Sequence, residues 1–332
     1  MLRPGADAVT VEPDGRGATD KPLAERRRPY RARPTGHRGR LKQEAGLLML
    51  FKDSPQRYSS HGSAPAGVQS GECRLREIGY PSMVGVVHSF ALGLFRGKRV
   101  LVTGGTSGIG LGCAQLFRDL DAGVIATGAT EAERDRAQTD GGNAGITFEH
   151  LDLRDDTEIQ RLVAGLEQLD VLVNAAGVIR RDMEHDPEVF ADVIAINLTG
   201  TMRVCSAARS KLCQARGSVV NVASMLTFFG GARVPAYSAS KGGVGQLTKS
   251  LAIAWAADGV RVNAVAPGWI ATPLTQTLQD DPERSGPILS RTPLARWGTP
   301  EEVAGAVVFL ASPAARFVTG AILAVDGGYL AA

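Results

Sequence analysis

Arg99-Val100-Leu101-Val102-Thr103-Gly104-Gly105-Thr106-Ser107-Gly108-Ile109-Gly110 is a short apolar run that opens into a glycine-rich loop. A continuous apolar run of this length suits a parallel strand buried on both faces. Gly104, Gly108 and Gly110 allow a tight turn and a close approach of the backbone to a pyrophosphate. The pyrophosphate charge would sit at the N-terminus of a helix predicted over 111–120. A tight turn alone would use the same glycines. Their position between a buried strand and an amphipathic helix favours the dinucleotide.

The same alternation continues downstream. Segments over 123–127, 146–151, 170–174, 218–222, 260–265 and 321–325 read as six further strands. Helical spacing over 157–166, 187–215, 236–257 and 301–310 fills intervals between them. With no hairpin signal, this order predicts an α/β protein with a single-domain Rossmann fold. Its doubly wound, seven-stranded parallel sheet would carry helices on both faces.

The 332 residues are 44% apolar and 21% charged, which excludes a fully disordered chain. No uninterrupted apolar run approaches the roughly 20 residues of a membrane span. Aromatics at 5% and 40 glycines suit a nucleotide-binding α/β protein better than a β-sandwich. The cysteines (Cys73, Cys113, Cys205 and Cys213) form no Cys-x-x-Cys pair and do not cluster with the histidines. Reduced thiols in a cytoplasmic protein, and no metal site, are therefore expected.

Charge is uneven. Residues 1–95 carry 15 Lys/Arg and 9 Asp/Glu, and the remainder carries 22 and 25. Between Lys21 and Lys42 nine basic residues face one acid, with Pro22, Pro29 and Pro34 interrupting any helix. Such a run can bind nucleic acid or an anionic surface. It also suits a solvated tail, or upstream sequence read from too early a start codon, and these two readings are favoured. No hydrophobic periodicity precedes residue 83 beyond a patch at 47–51, and the first 20 residues lack the apolar core of a signal peptide. A basic, disordered extension over 1–82 is expected ahead of a nucleotide-binding domain over 83–332. Met83 is the candidate natural start, and 83–95 a lead-in strand or turn. Neither nucleic acid nor membrane is an expected partner.

The loop spacing Gly-x-x-x-Gly-x-Gly, with the motifs that follow it, resembles the short-chain dehydrogenase/reductase family over residues 90–330. Asn174-Ala175-Ala176-Gly177 ends the fourth strand, where that family has Asn-Asn-Ala-Gly beside the adenine ring; Ala175 departs from the second Asn. Asp152, next to Leu153, matches the acid that hydrogen-bonds the adenine amino group. Pro267, Gly268, Ile270 and Thr272 match the segment that closes over the nicotinamide. The resemblance implies that these residues bind the cofactor together with Gly104, Thr106, Ser107, Gly108, Ile109, Gly110, Tyr237 and Lys241.

Tyr237 and Lys241 stand one helical turn apart and hence on one helix face. Alone, such a pair usually means surface. With Ser224 thirteen residues earlier and Asn197 in the preceding helix, it matches the family's catalytic tetrad. Moving a hydride between a carbinol carbon and nicotinamide requires a proton to move on the oxygen. Tyrosine at its ordinary pKa of about 10 is too weak a base at neutral pH. Lys241 and the oxidised nicotinamide, both cationic, are expected to lower that value. Lys241 would also bond the ribose hydroxyls, Ser224 would orient the substrate oxygen, and Asn197 would hold a water linking Lys241 to solvent.

Within the family, the chain looks like the sugar-acid branch, the 2-deoxy-D-gluconate 3-dehydrogenases and gluconate 5-dehydrogenases. Residues 176–181, 223–228, 233–237 and 296–298 carry this likeness. A sugar acid has a carboxylate, which arginine grips by a bidentate fork; Arg181 and Arg233 are the candidates, and surface arginines capping loops remain the alternative. A 3-oxoacyl-carrier-protein reductase is the enzymatic rival, disfavoured by the slightly acidic domain. A regulatory module without activity is disfavoured by the intact tetrad. Thr127-Gly128-Ala129-Thr130 offers neither an acid nor an arginine at the end of the second strand, and Ser107 is uncharged. NAD is favoured, with NADP possible. The resemblance also implies a homotetramer paired through the helices over 187–215 and 236–257. The stripe Val244, Leu247, Leu251 and Trp255 would face either a partner or the chain's own sheet.

Overall fold

Seven strands form one sheet: β1 (Arg99–Thr103), β2 (Gly123–Gly128), β3 (Ile146–His150), β4 (Val171–Asn174), β5 (Ser218–Val222), β6 (Arg261–Pro267) and β7 (Ile322–Val325). In the computed structural model, which describes residues 89–332, every pairing is parallel and the order is β3-β2-β1-β4-β5-β6-β7. The extension over 1–82, the start at Met83 and Cys73 lie outside the described residues. The lead-in is a turn from Ser89 onward, and it brings Phe95 edge-on to Phe117 at 4.9 Å.

The helices are α1 (Gly108–Asp119), α2 (Glu131–Thr139), α3 (Asp156–Ala164), α4 (Pro187–Ile194), α5 (Thr201–Ala215), α6 (Pro235–Trp255), α7 (Gln276–Gln279), α8 (Pro282–Arg291) and α9 (Pro300–Ala311). Successive residues of the central strands enter opposite cores. Val100 and Val102 join Phe117 of α1 and Val303 and Val307 of α9. Leu101 joins Ile159 of α3, Leu212 of α5 and Trp255 of α6. Both faces are covered at the centre of the sheet, which is why β1, β4, β5 and β6 read as largely apolar runs. The edge strand β3 alternates buried and exposed residues. The strand order reverses between β1 and β4, and ligands of such sheets bind in the crevice at the strand ends there.

The helix expected over 187–215 is present but not uniform. A π turn, Ala195–Gly200, joins α4 to α5. By length and hydropathy the whole run is apolar enough to cross a membrane, with a mean hydropathy of 1.2 in its most apolar window. Here it packs against α3 and α6. The stripe on α6 faces inward: Val244, Leu251 and Trp255 are buried, and Leu247 packs on the same core as Leu251 and Trp255. The second of the two readings left open for that stripe is the one found.

Three helices have no counterpart in the periodicity. α2 buries only Ala137, so it carries almost no apolar signal; its capping box, Thr130 with Glu133, holds its start. α7 has four residues, and α8 contains Pro287.

Candidate active site

The crevice is built where the loops after β1 and β4 meet. Gly104 has φ +67°, and a Cβ on it would lie 2.5 Å from Ala176 Cα, so only glycine fits beside residues 174–177. A Cβ on Gly110 would fall 2.0 Å from the Gly104 carbonyl oxygen. The Ala175 N–H donates to Thr103 O at 3.1 Å, which ties the two loops together. Ser107 takes the N-cap position of α1 with extended backbone, and Ile109 packs on the core below. Thr106 turns toward the end of β2, where its methyl would be 2.7 Å from a Cβ on Gly128. The Thr272 methyl reaches within 3.3 Å of the Cβ position of Gly108, so the segment after β6 lies over the glycine loop. This backbone cradle, backed by a helix N-terminus, fits the pyrophosphate of a dinucleotide.

Several other expected cofactor residues turn their side chains into the protein. Asn174 Nδ2 donates to Asn221 Oδ1 at 2.8 Å, and Asn221 Nδ2 donates to Thr248 Oγ1 at 2.9 Å. The Asn174 amide nitrogen thus stitches β4 and β5 to α6, while its Oδ1 is buried without a partner among the described residues. Leu153 and Ile270 are buried in the core. Gly268 donates its N–H to Val325 O at the end of β7, just past Pro267. Asp152 presents a partly exposed carboxylate, gripped by Arg154 with Nη2 at 2.7 Å. The guanidinium holds that carboxyl below the usual range, and Arg154 also binds Asp192.

Ser224, Tyr237, Lys241 and Asn197 converge at the strand ends. Ser224 follows β5 as the N-cap of a 3-10 turn, and its Oγ accepts from Leu226 N at 3.1 Å. It also hydrogen-bonds the Tyr237 phenol. Lys241 is buried, with its Nζ donating to Val222 O at 2.6 Å and standing 5.6 Å from the Tyr237 ring centre. Burial pushes Lys241 down to about 8. The π turn carries Asn197 inward, its Oδ1 accepting from Val178 N at 2.8 Å. Its Nδ2 donates to Val178 O at 3.0 Å and to Ser240 Oγ at 3.1 Å. The amide therefore pins the loop after β4 to α6. A Cβ on Gly177 would stand 3.4 Å from Asn197 Oδ1 and 3.5 Å from Lys241 Nζ, so glycine keeps the space beside both open.

One electrostatic expectation changes. Among the protein's own groups, burial dominates at Tyr237 and pushes its phenol up to about 12, against the opposing hydrogen bond from Ser224. The Lys241 ammonium, 5.6 Å from the ring centre, donates to the Val222 carbonyl. A lowered phenol pKa needs a further cation in the crevice.

Glu184 carries no motif and was invisible to pattern reading. Its side chain is 0% exposed, and its carboxylate accepts from Tyr237 N and from Arg180 N, both at 2.8 Å. It clamps the start of α6 to the loop that presents Arg181. Glu184→Ala removes the acceptor of both N–H groups, a loss of about 1–3 kcal/mol for a buried hydrogen-bonding group. The urea midpoint is expected to fall together with turnover. An unchanged midpoint would mean the clamp is dispensable.

The two arginines expected to meet a substrate differ. Arg233 is exposed, and both edges of its guanidinium are taken by Asp182. Arg181 is half-buried and has no hydrogen-bond or ion-pair partner among the described residues; burial, then Arg233 and Arg284, hold it below the usual arginine range. Its positive charge favours the ionised form of the Tyr237 phenol, a smaller influence than burial. Among the described residues no cluster of side chains suits a metal ion.

The family model described as enoyl-(acyl carrier protein) reductase matches residues 104–330. A 2-dehydro-3-deoxy-D-gluconate 5-dehydrogenase from Bacillus subtilis is 42% identical over 243 residues, which is 71% of this chain and 95% of that one. A crystal structure of a putative 2-deoxy-D-gluconate 3-dehydrogenase from Agrobacterium tumefaciens, with bound NADP, superposes with a TM-score of 0.64 at 42% identity. It covers 71% of this chain and 98% of that chain. A putative NAD(P)-dependent gluconate 5-dehydrogenase from Beutenbergia cavernae, also with NADP, gives 0.67 at 38% identity, covering 73% and 100%. With the parallel sheet, the glycine cradle and the Ser-Tyr-Lys grouping in place, the chain belongs to the short-chain dehydrogenase/reductase family and is an NAD(P)-dependent oxidoreductase.

Proposed function

We propose that this enzyme interconverts a secondary alcohol and a ketone on a sugar acid of the gluconate type. The carrying observation is Arg181, a half-buried arginine with no ion-pair partner among the described residues, on the loop that Glu184 clamps to the start of α6 at Tyr237. Its guanidinium can take a carboxylate by a bidentate fork, whereas the fork of Arg233 is closed by Asp182. The described activity of the Bacillus relative, on a deoxy sugar acid, supports the same substrate class.

A nicotinamide held over the glycine cradle would supply the hydride acceptor and, oxidised, a positive charge that favours the phenolate. As its phenolate, Tyr237 takes the hydroxyl proton at its Oη as the hydride leaves the carbinol carbon; in the reverse direction the protonated phenol gives that proton to the ketone oxygen. Ser224 would orient the substrate oxygen, Lys241 would hold the ribose hydroxyls of a bound dinucleotide, and Asn197 fixes the loop after β4 to α6. Because burial holds the phenol protonated, oxidation gains from rising pH and reduction from falling pH. A screen of gluconate-type acids against neutral polyols, with both nicotinamides, tests the assignment by the appearance of reduced cofactor.

The assembly belongs to the same proposal. Met202 on α5 and Ile253 on α6 are exposed, as are Phe309, Phe317 and Leu323 around the β7 edge. Two apolar faces on one chain support a homotetramer with two kinds of two-fold interface. Light scattering at micromolar concentration is expected to give four times the chain mass, and a monomeric mass refutes it. The buried free thiols of Cys113 and Cys205 support a reducing, cytoplasmic location.

A further inference from the structure

We propose that Glu133, which lies outside the β2 end itself, discriminates against the 2′-phosphate of NADP and so biases this enzyme toward NAD. The inference rests on the dinucleotide reading of the glycine loop. In doubly wound dinucleotide sites the adenosine ribose comes to the end of the second strand, where an acid accepts from its 2′-hydroxyl. Residues 127–130 supply no such acid. The first turn of α2 brings one from outside.

Two contacts place it. A Cβ on Gly128 would lie 2.7 Å from the Thr106 methyl and 3.3 Å from Glu133 Cβ, so Glu133 and the glycine loop close on the same spot at the end of β2. Glu133 Oε2 then accepts from Ala129 N at 3.0 Å and from Thr130 N at 3.2 Å. These are the N–H groups that open α2, and a helix N-terminus of this kind otherwise welcomes a phosphate. The chain's own carboxylate fills it.

The surrounding charges do not cancel Glu133. Arg134 of the same helix is paired with Glu131 and Asp135. His150 of β3 points one ring nitrogen at Ala129 O, at 3.1 Å, and the other at Glu158. Arg154 is committed to Asp152 and Asp192. A 2′-hydroxyl can donate to Glu133, whereas a 2′-phosphate meets a like charge within a few ångströms, a penalty of about tenfold or more in affinity. The Agrobacterium relative carries NADP, so here Glu133 is expected to weaken NADP binding rather than to forbid it.

Glu133 is also the third residue of a capping box, where Gln serves as well as Glu. Glu133→Gln therefore removes the charge and keeps the cap. NADH and NADPH are titrated separately into the unmodified protein, Glu133→Gln and Glu133→Ala, with binding read by calorimetry and Tm recorded for each. The expected result for Glu133→Gln is an affinity ratio moved toward NADPH by about tenfold or more, with Tm unchanged. Glu133→Ala should move the ratio the same way while lowering Tm. A Gln ratio within about twofold of the unmodified protein, or an Ala variant that loses both dinucleotides equally, overturns the proposal and leaves a capping role only. An unmodified protein that binds neither dinucleotide overturns the underlying reading of the glycine loop as well.

Discussion

Tyr237→Phe is expected to lower turnover by about 10²–10⁴-fold, the usual contribution of a positioned acid–base group. Only the phenol oxygen is lost. The ring keeps its place at the start of α6, because the Tyr237 N–H remains bound by Glu184. Dinucleotide affinity and Tm should therefore stay close to those of the unmodified protein. The residual rate should also lose the rise with pH that the Tyr237 phenol contributes to oxidation, since the group that burial raises to about 12 is gone. A Phe variant with near-normal turnover would remove Tyr237 from the chemistry.

The second large effect concerns the substrate. Arg181→Ala should raise KM for a sugar acid by about ten- to a hundredfold, the equivalent of losing a charge-assisted hydrogen bond of about 1.5–3 kcal/mol. KM for an uncharged polyol of similar size should barely move. Arg233→Ala is the contrast, because its partner is Asp182 rather than a ligand, so acid and polyol should respond alike. If Arg233→Ala discriminates and Arg181→Ala does not, the carboxylate lies at the other edge of the crevice.

Legibility of the molecule in its sequence follows the physics of each element. The central strands β1, β4, β5 and β6 were readable because both faces of the sheet are buried there, so each writes itself as a largely apolar run. The edge strand β3 was readable from the alternation of Ile146 and Phe148 with exposed residues. α2 was not, because eight of its nine residues stay out of the core and its start is held by side-chain caps. Spacing brought Ser224, Tyr237 and Lys241 together correctly, since two share a helix face and the third ends a neighbouring strand. Spacing could not show where side chains turn. Asn174 points into the core, Lys241 toward a carbonyl, and Arg233 toward Asp182. Glu184 and Glu133 were missed for a related reason: both act by accepting from backbone N–H groups, which leaves no motif. A buried carboxylate between two loops, or an acid three residues after a Thr cap, is the faint signal that points to such positions.

The central claim is that Tyr237 and Arg181 serve one reaction on an acidic sugar. Its most direct measurement is kcat/KM for a panel of gluconate-type acids and matched neutral polyols, followed by absorbance of the reduced nicotinamide. An acid oxidised at least about tenfold more efficiently than its neutral counterpart is predicted, with that preference abolished in Arg181→Ala. Equal efficiency on charged and neutral substrates, or a preference that survives Arg181→Ala, would contradict it.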